Sequence, residues 1–222
     1  MGGGTFEVTS GKSSRTFRVF AVPLIAFYAI VVTLGILSMG FQMLGSRLLS
    51  PHFGSAIDVW ACLISTFLAA FSLGSMAGGA ISNFEPIVRR WSQYACAIAA
   101  FGSLLITAVW GRALLGHIEV GFNSVLLGVL VACLALFFVP VAALSTFSPQ
   151  CVHYLAQTGV APGKGSGLVY GVSTLGNIAG VMLTTFVLIP NFRVSTLLYV
   201  WLVVAVLNLA ALLRLLRTPD LP

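Results

Sequence analysis

The chain has 222 residues, of which 59 % are hydrophobic and only 7 % are charged, and its mean hydropathy is +1.05. Soluble domains carry roughly 25 % charged residues, so this composition excludes a soluble globular protein and predicts an all-α polytopic membrane protein. The net charge of +6 does not indicate a nucleic-acid partner, because the basic residues lie at the ends of apolar runs rather than in one cluster.

Six apolar runs follow a glycine- and serine-rich tail. A helix needs about 20 residues to cross about 30 Å of hydrocarbon, and each run is close to or above that length. We expect a flexible basic tail at residues 1–18, a six-helix transmembrane domain at residues 19–217 and a short tail at residues 218–222. The runs cover about residues 19–44, 57–80, 91–110, 122–144, 167–189 and 196–213.

The first run leads into a tight turn at the membrane boundary. Gln42 and Arg47 lie at or near that boundary, and Pro51 and Gly54 are expected to break the helix before the second run. Arg47 has two interpretations. It pairs with Asp58 across the turn, or its long side chain extends into the headgroup region as an interfacial arginine.

The fourth run contains Pro140, which predicts a kink near its end. A polar segment follows it, and this segment predicts an interfacial half-helix at about residues 150–157. Gly159 and Pro162 are expected to close that half-helix before the fifth run begins.

Small residues at helical spacing predict where the helices pack. Within a bilayer, helices associate through van der Waals contact and hydrogen bonds, and small side chains let two backbones approach closely. The second run has such a pair at Gly74 and Gly78. The fifth run, which ends at Pro190, is the richest in them and is expected to be the main packing helix. Its small and polar positions are Gly167, Gly171, Ser173, Gly176, Asn177, Gly180 and Thr184.

The distribution of basic residues predicts the orientation. With the N-terminus in the cytoplasm, six spans leave three of the eleven basic residues on the opposite side, namely Arg47, Arg112 and Arg193. The other eight lie on the cytoplasmic side. Because cytoplasmic loops carry an excess of Lys and Arg, both termini are expected in the cytoplasm.

No arrangement of reactive side chains predicts catalysis or a metal site. The glycines at residues 162–167 lack the spacing of a phosphate-binding loop, and the three histidines lie in separate loops. The five acidic residues lie outside the apolar runs. The polar side chains inside the runs are neutral, so they either join helices or line a path for a neutral solute. We expect no cofactor, and a lipid, quinone or pigment between spans remains compatible with the sequence.

Two segments resemble the N-terminal membrane domain of the membrane-bound spermidine-synthase-like proteins, also described as fused major-facilitator and spermidine-synthase proteins. They are GSRLLSPHFGSAIDVW at residues 45–60 and GSGLVYGVSTLGNIAGVMLTTFVLIP at residues 165–190. The positions that the resemblance singles out are Gln42, Arg47, Pro51, Gly54, Tyr170 and Pro190.

The chain also departs from that family at charged positions. The family usually has a glutamate where Gln42 stands, a tyrosine at His52, a basic residue at Leu168, and an acidic–basic pair at Ser82 and Asn83. In the family, aminopropyl transfer resides in a soluble C-terminal domain that this sequence does not contain. The resemblance therefore implies a membrane domain without that activity.

These observations predict a non-catalytic membrane protein that serves as an accessory subunit of a larger membrane complex. Its expected partners are other integral membrane subunits, the lipid bilayer and a second copy of the chain. Two alternatives remain open: a small dimeric transporter-like protein, and a membrane anchor for a separately encoded spermidine-synthase-like enzyme. The expected location is a bacterial inner membrane.

Overall fold

Six helices long and apolar enough to cross a membrane make up most of the chain. The computed structural model describes the backbone of residues 13–217 and the side chains of residues 24–216, and this part contains helices and turns but no strand. The prediction of an all-α polytopic membrane protein is confirmed. We call the helices spans 1 to 6: Ser13–Phe53, Ile57–Ser82, Pro86–Gly121, Val125–Gln157, Pro162–Asn191 and Val194–Arg217.

The helices continue beyond the apolar runs at both membrane boundaries. Span 1 begins at Ser13, earlier than residue 19, while the tails at residues 1–12 and 218–222 lie outside the described residues. Span 3 has 36 residues and includes Arg89 and Glu119, which hydropathy alone assigned to loops. A helix satisfies its own backbone hydrogen bonds, so it does not have to end where the apolar side chains end.

The turn between spans 1 and 2 differs from the prediction in one respect. Pro51 does not break the helix but lies in its last turn, and Phe53 is the final helical residue. Gly54 ends it with φ 76°, a left-handed conformation that glycine adopts without a steric cost. The Gly54 N–H donates to the carbonyl of Ser50 at 3.0 Å, which closes the helix end.

The helix expected at about residues 150–157 is present and ends at Gln157, but it continues span 4 rather than forming a separate half-helix. Phe147–Gln157 is the last part of span 4 and is divided from the helix before it by Thr146 alone. Gly159 has φ 85° and turns the chain toward span 5. Pro162 lies in the first turn of span 5, where its missing N–H costs nothing, so it begins a helix rather than closing one.

The packing of the spans has an internal symmetry. Span 1 packs chiefly on spans 5 and 6, span 4 packs on spans 2 and 3, and spans 3 and 6 contact each other. If spans 1, 2 and 3 are matched with spans 4, 5 and 6, the contact between spans 1 and 5 corresponds to that between spans 4 and 2. The contact between spans 1 and 6 corresponds to that between spans 4 and 3. Because each half has an odd number of spans, the two halves cross the membrane in opposite directions. This arrangement is an inverted repeat.

The repeat is also present in the sequence, although hydropathy and small-residue spacing did not predict it. Span 2 reads LGSMAG at residues 73–78 and span 5 reads LGNIAG at residues 175–180. In both segments the two glycines are buried. The motif thus places a four-residue glycine pair at equivalent positions of the two halves, together with Ser75 in one half and Asn177 in the other.

Three phenylalanine rings fill the centre where spans 1, 2 and 4 meet. Phe41, Phe67 and Phe137 are at most 1 % exposed. The centroid of the Phe137 ring lies 5.5 Å from that of Phe41 and 6.0 Å from that of Phe67, within the range of favourable aromatic pairs. Gly45 keeps this space open, since a Cβ there would lie 3.2 Å from the Phe137 ring.

Span 4 is irregular where proline interrupts its hydrogen bonds. A π-helical turn at Leu134–Phe138 precedes Pro140, which fits the kink predicted there. Proline has no N–H, so the carbonyl of Leu136 lacks its usual helical donor four residues later. Thr107 of span 3 supplies one: its buried Oγ1 lies 2.8 Å from the Leu136 carbonyl oxygen and 3.0 Å from the Ser103 carbonyl oxygen of its own helix, so its one proton is shared between them. A hydroxyl of span 3 therefore bonds to the irregular part of span 4.

The role of Thr107 can be tested with three variants. Thr107→Val removes the hydroxyl and leaves the Leu136 carbonyl unpaired, so we expect the free energy of unfolding to fall by about 1 kcal/mol. Thr107→Ser keeps the donor and should retain most of the stability. Unfolding would be followed in one detergent by circular dichroism. Thr174→Val is the control, because the Thr174 hydroxyl bonds only within its own helix, to the Tyr170 carbonyl. Equal losses in Thr107→Val and Thr174→Val would contradict this role.

Candidate functional site

The buried glycines of span 5 contact the backbone of span 1. A Cβ at Gly176 would collide with the carbonyl oxygen of Val32, and one at Gly180 would lie 2.6 Å from that of Ile36. On span 1, a Cβ at Gly35 would collide with the carbonyl oxygen of Ser173. The two backbones are therefore in direct contact. Of the predicted packing residues, Gly176 and Gly180 belong to an internal interface.

Thr184 and Asn177 lie along the same interface. A Cβ at Gly40 of span 1 would lie 2.7 Å from Oγ1 of Thr184, and one at Gly35 would lie 3.0 Å from the backbone nitrogen of Asn177. Next to this contact, Nε1 of Trp201 in span 6 donates to the carbonyl of Leu37 at 3.1 Å. Spans 1, 5 and 6 are thus joined by small residues and one indole hydrogen bond.

The equivalent glycines of span 2 contact span 4 in the same way. A Cβ at Gly74 would collide with the Ala142 carbonyl, and one at Gly78 with the Thr146 carbonyl. Oγ of Ser145 lies against Gly74, 2.9 Å from the Ala142 carbonyl oxygen of its own helix and 3.3 Å from the Ala70 carbonyl oxygen of span 2. Both LG-x-x-AG segments therefore hold the two halves of the repeat together.

The other glycine pair of span 5 faces outward. A Cβ at Gly167 or Gly171 would meet no atom of the described residues within 4 Å, and Tyr170 between them is 49 % exposed. Span 5 is also the span least buried by the rest of the protein: 17 % of the residues in its most apolar segment are buried, compared with 28–44 % in the other five spans. We call the exposed surface around Gly167, Tyr170 and Gly171 the outer face of span 5.

A buried polar cluster lies between spans 3 and 4, on the side of the membrane where span 1 begins. Nε2 of Gln93 donates to Oε1 of Gln150 at 2.8 Å, and both side chains are at most 6 % exposed. Beside them, Nε2 of His153 lies 3.0 Å from Nε2 of Gln157 and 3.4 Å from the guanidinium of Arg89. Both neighbours are N–H donors, so Nε2 accepts and the imidazole is neutral.

The cavity within this cluster has a volume of about 20 Å³, which leaves room for a water molecule and no larger ligand. The cluster therefore joins two spans. The sequence patterns did not predict it, because Gln93 and Gln150 are single amides, one in an apolar run and one just beyond another. The sequence signal that could have indicated this cluster is the presence of an amide side chain within or next to an apolar run.

A larger cleft opens at the opposite end of the bundle, between the end of span 1, the start of span 2 and the end of span 5. We call it the Arg47 cleft, and its volume is about 310 Å³. The polar and glycine residues that line it include Arg47 and Gly54, which the family resemblance singled out, and also Ser46, Ser50, Ser55 and Thr185. Gln42 lies deeper in span 1 and is 7 % exposed. Pro190, one residue beyond Ile189 in the cleft wall, is exposed.

The charges around the cleft do not pair as the first interpretation of Arg47 required. Within the described part of the chain, the ion pair joins Nδ1 of His52 to Oε2 of Glu119 at 2.7 Å and links span 1 to span 3. Asp58 lies in the first turn of span 2, where the helix dipole favours a negative charge. The Arg47 side chain is exposed at the cleft, in agreement with an interfacial arginine.

The described residues hold no group of three His, Cys, Asp or Glu side chains close enough to bind a metal ion. No protein-family model, curated protein or solved structure matches this chain. The resemblance to the spermidine-synthase-like membrane domains therefore remains a prediction. Among the surfaces that the packing of the described residues leaves exposed are the outer face of span 5 and the Arg47 cleft.

The two faces of span 5 predict opposite effects of one substitution. Gly176→Ala places a Cβ against the backbone of span 1, so we expect the free energy of unfolding to fall by about 1–3 kcal/mol. Gly171→Ala adds the same methyl group where it meets no atom, and the better helix propensity of alanine should leave stability equal or slightly higher. Denaturant titration of both variants in one detergent would measure the difference. A Gly176→Ala protein as stable as Gly171→Ala would show that spans 1 and 5 are not in contact.

Proposed function

We propose that this chain is a non-catalytic accessory subunit of a larger membrane protein complex, located in a bacterial inner membrane with its N-terminus in the cytoplasm. The observation that carries the proposal is the division of span 5. Gly176 and Gly180 are buried in the contact with span 1, whereas Gly167 and Gly171 face outward. Span 5 is also the span with the smallest buried fraction.

The outer face of span 5 has the properties of a surface that receives another transmembrane helix. Lipid chains are as apolar as leucine, so exposed apolar side chains alone do not drive association in a bilayer. Two glycines one turn apart let a partner backbone approach closely, and Tyr170 between them supplies a hydroxyl that can bond across the contact.

The test is purification of the tagged chain in mild detergent, with mass spectrometry of the retained proteins. We expect a stoichiometric set of larger membrane proteins. Gly171→Leu should reduce their recovery by about tenfold, the change that corresponds to a loss of about 1.4 kcal/mol of contact. Gly102→Leu is the matched control, because Gly102 also has no atom within 4 Å of a built Cβ but lies in span 3.

Each outcome of this purification has a meaning. Equal recovery in Gly171→Leu and the wild type would contradict docking at the outer face of span 5. Recovery of the chain alone, or of a homodimer, would contradict the accessory role. Retention of a soluble spermidine-synthase-like enzyme instead of membrane subunits would support the membrane-anchor alternative.

One observation favours a second candidate, a small transporter-like protein that dimerises. Transporters are often built from inverted repeats, with the substrate site formed by equivalent positions of the two halves. Here the repeats place Ser75 and Asn177 at equivalent positions of the LG-x-x-AG segments, and both are half-buried. Both are uncharged, so the solute that they suit is neutral.

Liposome swelling in small neutral polyols would test the transporter candidate. If the repeats form a solute path, the wild type should accelerate swelling, and Asn177→Leu and Ser75→Leu should each abolish the acceleration while the protein still reconstitutes. Thr174→Val is the control, because the Thr174 side chain is exposed and its hydroxyl bonds within its own helix. No acceleration by the wild type, or full activity in both leucine variants, would exclude this path.

A further inference from the structure

We propose that the Arg47 cleft binds the phosphate headgroup of a membrane phospholipid. Arg47 and serine hydroxyls would hold the phosphate, and an acyl chain would lie against the apolar wall. This site is independent of the accessory role and of its docking surface. It would bind lipid in a monomer as well as in a complex.

The first observation that supports this proposal is that Arg47 is an unpaired cation near the expected membrane boundary. Arg47 lies in the last two turns of span 1, near the membrane boundary, and forms no ion pair or hydrogen bond with any residue that the structure describes. The carboxylate of Glu119 is taken by His52 at 2.7 Å. A guanidinium in this position has five N–H donors available for the phosphate oxygens.

The second support comes from the hydroxyls of the cleft. Ser50 and Ser55 form no side-chain hydrogen bond within the described part of the chain, so both can donate to a phosphate oxygen. Ser46 donates to the Met43 carbonyl at 2.9 Å and contributes only acceptor capacity. Two hydroxyl donors and one guanidinium form a donor-rich site without a carboxylate, which suits an anion rather than a cation.

The third support is a buried hydroxyl without a partner. Oγ1 of Thr185 is shielded from solvent and, like Oγ1 of Thr184 beside it, has no hydrogen-bond partner among the residues that the structure describes. A threonine in a regular helix donates to the carbonyl four residues before it, as Thr174 does, but Thr185 lies in the π-helical turn Leu183–Leu188. An unpaired buried hydroxyl is costly, and a turn of the Thr185 side chain toward the cleft would bring its shielded Oγ1 within reach of a ligand.

The apolar part of the cleft explains why the ligand is a lipid rather than a free anion. Met43, Leu63 and Ile189 are apolar residues that line the cleft, and Trp60 lies in the first turn of span 2, near the expected membrane boundary where tryptophan is enriched. A free phosphate would leave this wall unused. The volume of about 310 Å³ is suited to a phosphate with the glycerol attached to it, while the acyl chains extend into the bilayer along the wall.

Native mass spectrometry of the whole chain tests the proposal. The purified protein would be stripped of lipid by detergent exchange and titrated with phosphatidylglycerol, phosphatidylcholine or inorganic phosphate in separate experiments. We expect the first phospholipid molecule to bind more tightly than any further molecules. Arg47→Gln should weaken this first binding event by about tenfold or more, as expected for the loss of a charge-assisted hydrogen bond. Arg112→Gln is the matched control, an exposed arginine near the same membrane boundary in span 3.

Further variants keep the proposal testable if Arg47→Gln does not fold. Thr185→Val should lower lipid occupancy and Thr185→Ser should restore it, whereas a cleft without ligand predicts that Thr185→Val only raises stability. Ser50→Ala combined with Ser55→Ala should also lower occupancy. Equal lipid binding in the cleft variants and Arg112→Gln would overturn the proposal. Binding of inorganic phosphate that phospholipid does not displace would overturn it in favour of a free-anion site.

Discussion

The structure depends on the direct contact of helix backbones at two glycine pairs. In a bilayer, burying an apolar side chain between helices gains little over leaving it in lipid, so the free energy of association comes from close van der Waals contact. At Gly176 and Gly180 the backbone of span 5 touches that of span 1, and at Gly74 and Gly78 span 2 touches span 4. Any side chain at these positions would separate the helices. Each half of the inverted repeat therefore contributes one glycine pair, in span 2 or span 5, that contacts the other half.

Two prolines create a second constraint, because each frees a backbone carbonyl inside the membrane where water is scarce. Both Pro140 and Pro190 follow a π-helical turn, at Leu134–Phe138 and Leu183–Leu188. In span 4 the freed carbonyl is satisfied by Thr107 of a neighbouring span, and the kink becomes part of the packing. In span 5 the turn instead leaves the Thr185 hydroxyl without a partner at the edge of a cleft. The same local irregularity thus serves packing in one half and creates a binding surface in the other.

Two of the surfaces that the internal packing leaves exposed suit different partners. The outer face of span 5 is apolar and carries the glycines Gly167 and Gly171, so it fits a helix. The Arg47 cleft combines a cation, hydroxyls and an apolar wall, so it fits an amphiphile. Neither surface contains a paired acid and base or a set of metal ligands among the residues described. Span 5 contributes to both surfaces.

Hydropathy was sufficient to establish the class of protein and the number of spans, because these follow from bilayer thickness and helical geometry. Small-residue spacing selected Gly176 and Gly180 but also Gly167 and Gly171, which face outward, and it did not select Gly35 or Gly40. The same reasoning could not decide which glycine pair of span 5 faces inward: Gly167 with Gly171 and Gly176 with Gly180 have the same spacing, and only the position of span 1 distinguishes them. It also could not assign Arg47 a partner, because the choice between Asp58 and the headgroup region depends on how the ends of two spans are placed around the cleft. The sequence determines which side chains each helix presents. The tertiary structure decides which of them contact a neighbouring helix, because each contact requires two helices at matching depths in the membrane and in matching rotations about their axes.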